Sequence, residues 1–154
     1  DLLLKAIKAL NDDQFHLTII GEGSEKNSLI KLVKDLNIPG QVDFIGYKEN
    51  PYPYMYQADL FVLSSRYEGF PNVVLESMAC GTPVVAFDSP GDLCKIIIND
   101  FNGYLAAYLD VNELASKILL ASKTYFDSKI IKESIEYKFS IDKIIPKYEK
   151  ILIN

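Results

Sequence analysis

A chain of 154 residues, 49% apolar and 24% charged, suits one globular domain with a core and excludes a disordered, collagenous or disulfide-scaffold protein. Its net charge of −5, from 21 acidic and 16 basic residues, argues against a nucleic-acid surface, which needs clustered cations to neutralise phosphates. Arg66 is the one Arg among those bases, so a bound anion must rely on backbone N–H groups, on Lys or on residues outside the chain.

The elements alternate along the chain. Asp1 to Leu10 carries apolar residues at 2, 3, 6, 7 and 10, a helical stripe. The chain enters that stripe without an initiator Met, the opening expected of a fragment or of a sequence that begins at its first ordered residue. Phe15 to Ile20 is a β-rich run closed by Gly21. Ser24 is placed to cap the next helix, with Leu29, Ile30, Leu32, Val33 and Leu36 as its buried face, and Asn37 and Pro39-Gly40 end it. Val42 to Ile45 is a second strand closed by Gly46. A Tyr- and Pro-rich loop with a short helical turn covers Tyr47 to Ala58, and Leu60 to Leu63 is a third strand. Pro71 to Cys80 reads as a helix with Pro near its first position and Gly81 at its end. Pro83 to Phe87 is nearly all apolar and is expected to be buried on both faces. Leu93 to Ile98 is a short helix and Gly103 to Ala106 a last strand. From Asp110 onward the pattern is helical, with breaks near Ser128 and Ser140.

Strand–helix alternation with short loops predicts an α/β fold with a parallel sheet, as one domain over residues 1–154. In such sheets ligands bind beyond the carboxyl ends of the strands. The loops that matter are then Gly21-Glu22-Gly23, Gly46 to Pro53, Ser64 to Asn72 and Asp88 to Asp92. Cys80 and Cys94 form no CxxC pair and His16 stands alone, so zinc spacing is absent and a reducing compartment is expected. No apolar run approaches the ~18 residues of a membrane span, and no basic-then-apolar leader opens the sequence, which together read as cytoplasmic.

The chemistry concentrates in Ser64-Ser65-Arg66-Tyr67-Glu68-Gly69-Phe70-Pro71-Asn72-Val73-Val74-Leu75-Glu76. It follows a strand and runs into a helix whose first N–H groups are unpaired and partly positive, a ready site for phosphate or sugar hydroxyls. Gly69 permits close approach of backbone to ligand, and Pro71 presets the first turn while lacking an N–H to donate. Two carboxylates near one crevice can grip a polyol, each accepting from neighbouring hydroxyls. The ordinary role of such residues is a solvated charge. Glu76 fits that role less well, lying between Leu75 and Met78-Ala79-Cys80.

The block EGFPNVVLESMACGTPVV resembles the donor-binding signature of the retaining GT-B glycosyltransferases of glycosyltransferase family 4. HLTIIGEGSE, QVDFIGY, ADLFVLSSRYEGFPNVVLESMACGTPVVAF and FNGYL also follow the order and spacing of that family's C-terminal, nucleotide-sugar-binding domain. The likeness covers about residues 1–107 and extends to the helical tail ending at Leu152. It implies a Rossmann-like parallel sheet flanked by helices, the C-terminal half of a GT-B enzyme. It puts the sugar and catalytic support on Glu68 and the ribose hydroxyls on Glu76. Backbone groups of Gly69, Phe70, Asn72, Val73 and Val74 hold sugar and diphosphate, the Gly21 and Gly23 turn borders the site, and the base lies near Tyr47 and Lys48. The implied donor is a UDP- or GDP-sugar, transferred with retention to an acceptor hydroxyl, without metal or other cofactor. Surface polysaccharide or glycoconjugate assembly is the implied setting, at the inner face of the membrane if the full enzyme associates with it.

Two departures accompany the likeness. The family's domain begins one strand earlier, with an Arg and a Lys that hold the diphosphate, and an acceptor domain precedes that. The chain starts after both, which implies a gap beside the strand of Phe15 to Ile20, weak nucleotide binding and no turnover alone. Gly91-Asp92-Leu93-Cys94-Lys95 also puts Lys95 where the family commonly has Glu. Rival readings are a non-catalytic nucleotide-sugar-binding or interaction module, and a glycoside hydrolase using Glu68 and Glu76 as acid and base. Among the remaining residues, His16 is expected to be structural, Cys80 a buried apolar thiol and Cys94 no nucleophile. Gly21-Glu22-Gly23 lacks the third Gly of a dinucleotide fingerprint, and Lys26 stands where it would lie, which argues against NAD. Tyr52, Tyr54 and Tyr56 suggest a sugar-stacking platform, but their alternation near two prolines favours a loop packed on the domain edge.

Overall fold

The computed structural model describes residues 1–152, without the side chains of 147, 148 and 152. In chain order the elements are α1 (Leu2–Leu10), β1 (Leu17–Ile20), α2 (Lys26–Asp35), a 3₁₀ turn (Pro39–Gln41), β2 (Val42–Gly46), α3 (Tyr52–Gln57), β3 (Phe61–Leu63), α4 (Asn72–Ala79), β4 (Val84–Phe87), α5 (Leu93–Ile96), β5 (Gly103–Ala106), α6 (Val111–Ala121), α7 (Ser128–Phe139) and α8 (Ile141–Leu152). The strand pairings are all parallel. This is the α/β architecture that alternation predicts, with helices supplying the crossovers between parallel neighbours.

The strands divide between two sheets, β1-β2 and β3-β4-β5. The two sheets are not hydrogen-bonded to one another. One helix spans both. Leu4 and Ile7 of α1 pack with Val33, Ile38 and Val42 under the two-stranded sheet, while Ala6 packs with Val85, Phe87, Tyr104 and Leu114 under the three-stranded one. The stripe read from the sequence is therefore shared between two clusters. A third cluster, on the other face of β4, joins Val74 and Met78 of α4 to Val84, Ala86, Ile131 and Ile135. β4 is buried along its whole length, as its composition predicts for a strand covered on both faces.

Several boundaries differ from the sequence reading. Ser24 does not cap α2: Glu25 takes the cap position and no side chain bonds there. Pro71 occupies the cap of α4 rather than its first helical position. β1 begins at Leu17, leaving His16 just ahead of it with Nε2 2.9 Å from Asp43 Oδ2, the structural partner expected of a lone His. The later caps are well made. Asp110 accepts from the N–H groups of Asn112 and Glu113 at the head of α6, and Asp127 from those of Lys129 and Ile130 at the head of α7. Gly81 ends α4 at φ +85°, a left-handed position that favours Gly.

Candidate functional site

Residues 64–71 leave the carboxyl end of β3 and enter α4, and neighbouring loops fasten them in place. The Tyr108 hydroxyl, on the loop after β5, donates to the Arg66 carbonyl at 2.5 Å. The Arg66 guanidinium reaches both carboxylate oxygens of Asp1, at 3.1 and 3.0 Å. Gly91, on the loop after β4, lies against the Glu68 carbonyl so closely that a Cβ there would sit 3.3 Å from it. Asp1 heads α1, which leads away from this loop.

Glu68 and Glu76 are both half-buried. Neither carboxylate has a hydrogen-bond or ion-pair partner among the described residues. Glu76 is one turn beyond Asn72, on the side of α4 opposite its buried residues Val74, Ser77 and Met78. A free, partly desolvated carboxylate is suited to accept from vicinal hydroxyls, because the water it surrenders is replaced by ligand O–H groups. Gly69 has no heavy atom within 4 Å of where a Cβ would stand, so its backbone borders open space. Tyr67 and Phe70 expose their rings on either side of Glu68 and Gly69.

No side chain caps α4, because Pro71 at the cap offers no acceptor. The amides are not equally available, however. Asn72 N–H donates to the Phe70 carbonyl at 2.9 Å and Val74 N–H to the Pro71 carbonyl at 3.0 Å. Val73 N–H has no partner among the described residues. The expectation that all three amides face an anion is thereby reduced to Val73, with Gly69 and Phe70 ahead of it.

The other expected residues are on the loops after β1 and β2. Gly21 N–H donates to the Gly46 carbonyl at 2.9 Å, tying the two turns of the smaller sheet together. Neither Gly21 nor Gly23 has a heavy atom near a would-be Cβ. Tyr47 is 71% exposed and Lys48 half-buried, and among the described residues neither side chain has a hydrogen-bond or ion-pair partner. Glu22 bends over Gly46 and holds Lys26 at 2.9 Å. Lys95, at the position of the family Glu, pairs with Asp92 at 2.6 Å, and this hydrogen bond raises its pKa. Tyr52, Tyr54 and Tyr56 are on α3 and exposed, which corrects the reading of a packed loop. Gly91 is on a loop that the sequence marks, whereas Tyr108 and Asp1 support this site through tertiary contacts for which one sequence holds no periodic or motif signal. Among the described residues no group of three or more His, Cys, Asp or Glu could hold a metal ion.

Comparison with known proteins agrees with this geometry. Residues 1–136 match the family described as "Glycosyl transferases group 1". A poly(ribitol-phosphate) alpha-N-acetylglucosaminyltransferase of Staphylococcus aureus is 35% identical over 96% of the chain, which spans 31% of that relative. A Campylobacter jejuni relative, N-acetylgalactosamine-N,N'-diacetylbacillosaminyl-diphospho-undecaprenol 4-alpha-N-acetylgalactosaminyltransferase, is 36% identical over 73% of the chain, again 31% of its own length. Among solved structures, a variant of S. aureus TarM in complex with Fondaparinux, alpha-GlcNAc-glycerol and UDP superposes with TM-score 0.88 at 30% identity, over 97% of this chain and 32% of that one. Anabaena HepE in complex with UDP gives TM-score 0.88 at 24% identity, over 98% and 44%. The fold is that of the C-terminal half of a GT-B glycosyltransferase.

Proposed function

Because the chain belongs to the glycosyl transferases group 1 family, we propose that it is the donor-binding domain of a retaining glycosyltransferase that uses a nucleotide-diphosphate sugar. The observation that carries this reading is the pair of half-buried, unpartnered carboxylates, Glu68 and Glu76, at a loop that runs into an uncapped helix N-terminus. Two structural relatives are complexes with UDP, which supports UDP over GDP as the nucleotide.

In this reading Glu76 accepts from the two ribose hydroxyls and Glu68 from the donor sugar. The N–H groups of Gly69, Phe70 and Val73 face the diphosphate. During transfer the bond between the anomeric carbon and the diphosphate oxygen breaks, and its electron pair leaves with the nucleoside diphosphate. The acceptor oxygen bonds that carbon on the same face, and its proton passes to the departing diphosphate oxygen. Glu68 opposes the positive charge that develops there, and the amides oppose the negative charge on the leaving group, with no reorganisation needed at the moment of reaction. The chain spans under half the length of each relative named above. The acceptor site, its surface-polymer substrate, a cytoplasmic setting and any association with the inner face of a membrane therefore belong to the proposal for the longer protein. Among the described residues no helix is long and apolar enough to cross a membrane.

Calorimetric titration of UDP, GDP and ADP into this chain and its Glu76→Ala variant tests the reading. UDP is expected to bind preferentially, with affinity falling about tenfold or more in the variant, the loss of a charge-assisted hydrogen bond. Equal binding by the two proteins would remove Glu76 from the site and the proposal with it.

A further inference from the structure

At the far end of α4 from the Glu68 loop, about 12 Å along eight residues, the described residues form an open groove of about 560 Å³. Its walls come from α3 and α7. Tyr52 and Tyr56 are four residues apart and so share one side of α3, 50% and 75% exposed. Lys129 and Lys132 are three apart and share one side of α7. Asn50 and Ser128 complete the polar lining, with Cys80 at the floor.

The charge of this groove runs against that of the chain. The protein carries 21 acidic residues to 16 basic ones, yet the lining holds two ammonium groups and no carboxylate. Lys132 has no ion-pair partner among the described residues, and Lys129 has only Glu133 at 3.8 Å, an exposed pair of little strength. The surrounding field is modest, because Glu133 acts on Lys129 and Glu76 reaches Cys80 electrostatically. A weakly positive groove suits a ligand with one isolated charge per unit rather than a dense polyphosphate such as nucleic acid. Exposed phenol rings offer flat apolar faces for the C–H face of a pyranose, and their hydroxyls, Asn50 and Ser128 offer partners for its O–H groups.

We propose that the groove between α3 and α7 binds an oligosaccharide whose sugars carry carboxylates, with Tyr52 and Tyr56 stacking on the rings and Lys129 and Lys132 pairing with the charges. The groove begins one helical turn beyond Glu76, and the proposal does not depend on the reading of Glu68 and Glu76. Titration of trigalacturonate into the chain tests it, with maltotriose as the neutral control and an oligothymidylate as the nucleic-acid control. Trigalacturonate is expected to bind and the two controls not to. Tyr56→Ala and Lys132→Gln, both at exposed positions and checked for folding by circular dichroism, are each expected to weaken binding about fivefold or more. No binding of trigalacturonate, equal binding of maltotriose, tighter binding of the oligothymidylate, or unchanged affinity in both variants would each overturn the proposal.

Discussion

Glu68 and Glu76 are separated by eight positions, and the physics asks different things of them. Glu68 is on a loop held from outside, so its role depends on the Tyr108 hydroxyl, the Arg66–Asp1 pair and the close approach of Gly91. In the longer protein, Glu68→Gln preserves size and should lower the transfer rate by about 10²-fold or more, the order seen when one charge-stabilising group is removed. Donor affinity should change far less, and steady-state kinetics separate the two effects. An unchanged rate would favour the non-catalytic module. Tyr108→Phe deletes the donor to the Arg66 carbonyl and should cost about 0.5–1.5 kcal/mol in denaturant unfolding. The two thiols should separate by reactivity. Burial pushes the Cys80 thiol above its usual range, whereas Cys94 is exposed. Burial both lowers the thiolate fraction of Cys80 and limits access to it, so iodoacetamide at pH 8 should label the exposed Cys94 first, read by peptide mass spectrometry. At this scale the carboxylate pair was legible because it is part of a long contiguous block. Tyr108 and Asp1 were not, since each acts across more than forty residues of chain.

Element identity was legible almost throughout, because hydrophobic period and Gly/Pro punctuation are local properties. Gly81 ends α4 as read, and the all-apolar run of β4 is buried as read. Boundaries were less so. A Ser ahead of a helix predicts a cap only if its backbone leaves the helical region at the right residue, and at α2 that position passed to Glu25 with φ −81° and ψ −5°. The status of the α4 amides was likewise illegible, because a tight local turn decides which of them are already used. One element junction gives a sharp prediction. Gly103 opens β5 at φ +157°, and a Cβ there would lie 1.8 Å from the Val84 carbonyl oxygen on the paired strand. Backbone cannot swing aside as a side chain can, so Gly103→Ala should force β5 off β4. A loss on the order of 4 kcal/mol is expected. Wild-type stability in that variant would mean that the β4–β5 register differs from the one described.

At the scale of the whole molecule, two parallel sheets are held together by the packing of α1 across them rather than by one continuous ladder. The sequence predicted a parallel sheet; it did not show that the strands would divide between two sheets or that one helix would divide its apolar stripe between two clusters. That division makes stability uneven. β4 is hydrogen-bonded on both sides and fully buried, while β1 is paired to β2 alone and its residues are half-buried or exposed. Amide hydrogen exchange should therefore be slowest in β4 and markedly faster in β1 and β2, since local opening takes the least buried unit first. Leu4→Ala sharpens the test. Leu4 is 1% exposed and packs with Val33, Ile38 and Val42, so its truncation should cost about 2–5 kcal/mol of local packing. If the sheets open separately, exchange should accelerate across β1, α2 and β2 while β4 keeps most of its protection. Equal acceleration in β4 would show instead that α1 couples both sheets into one cooperative unit, and that the molecule unfolds through its connecting helix.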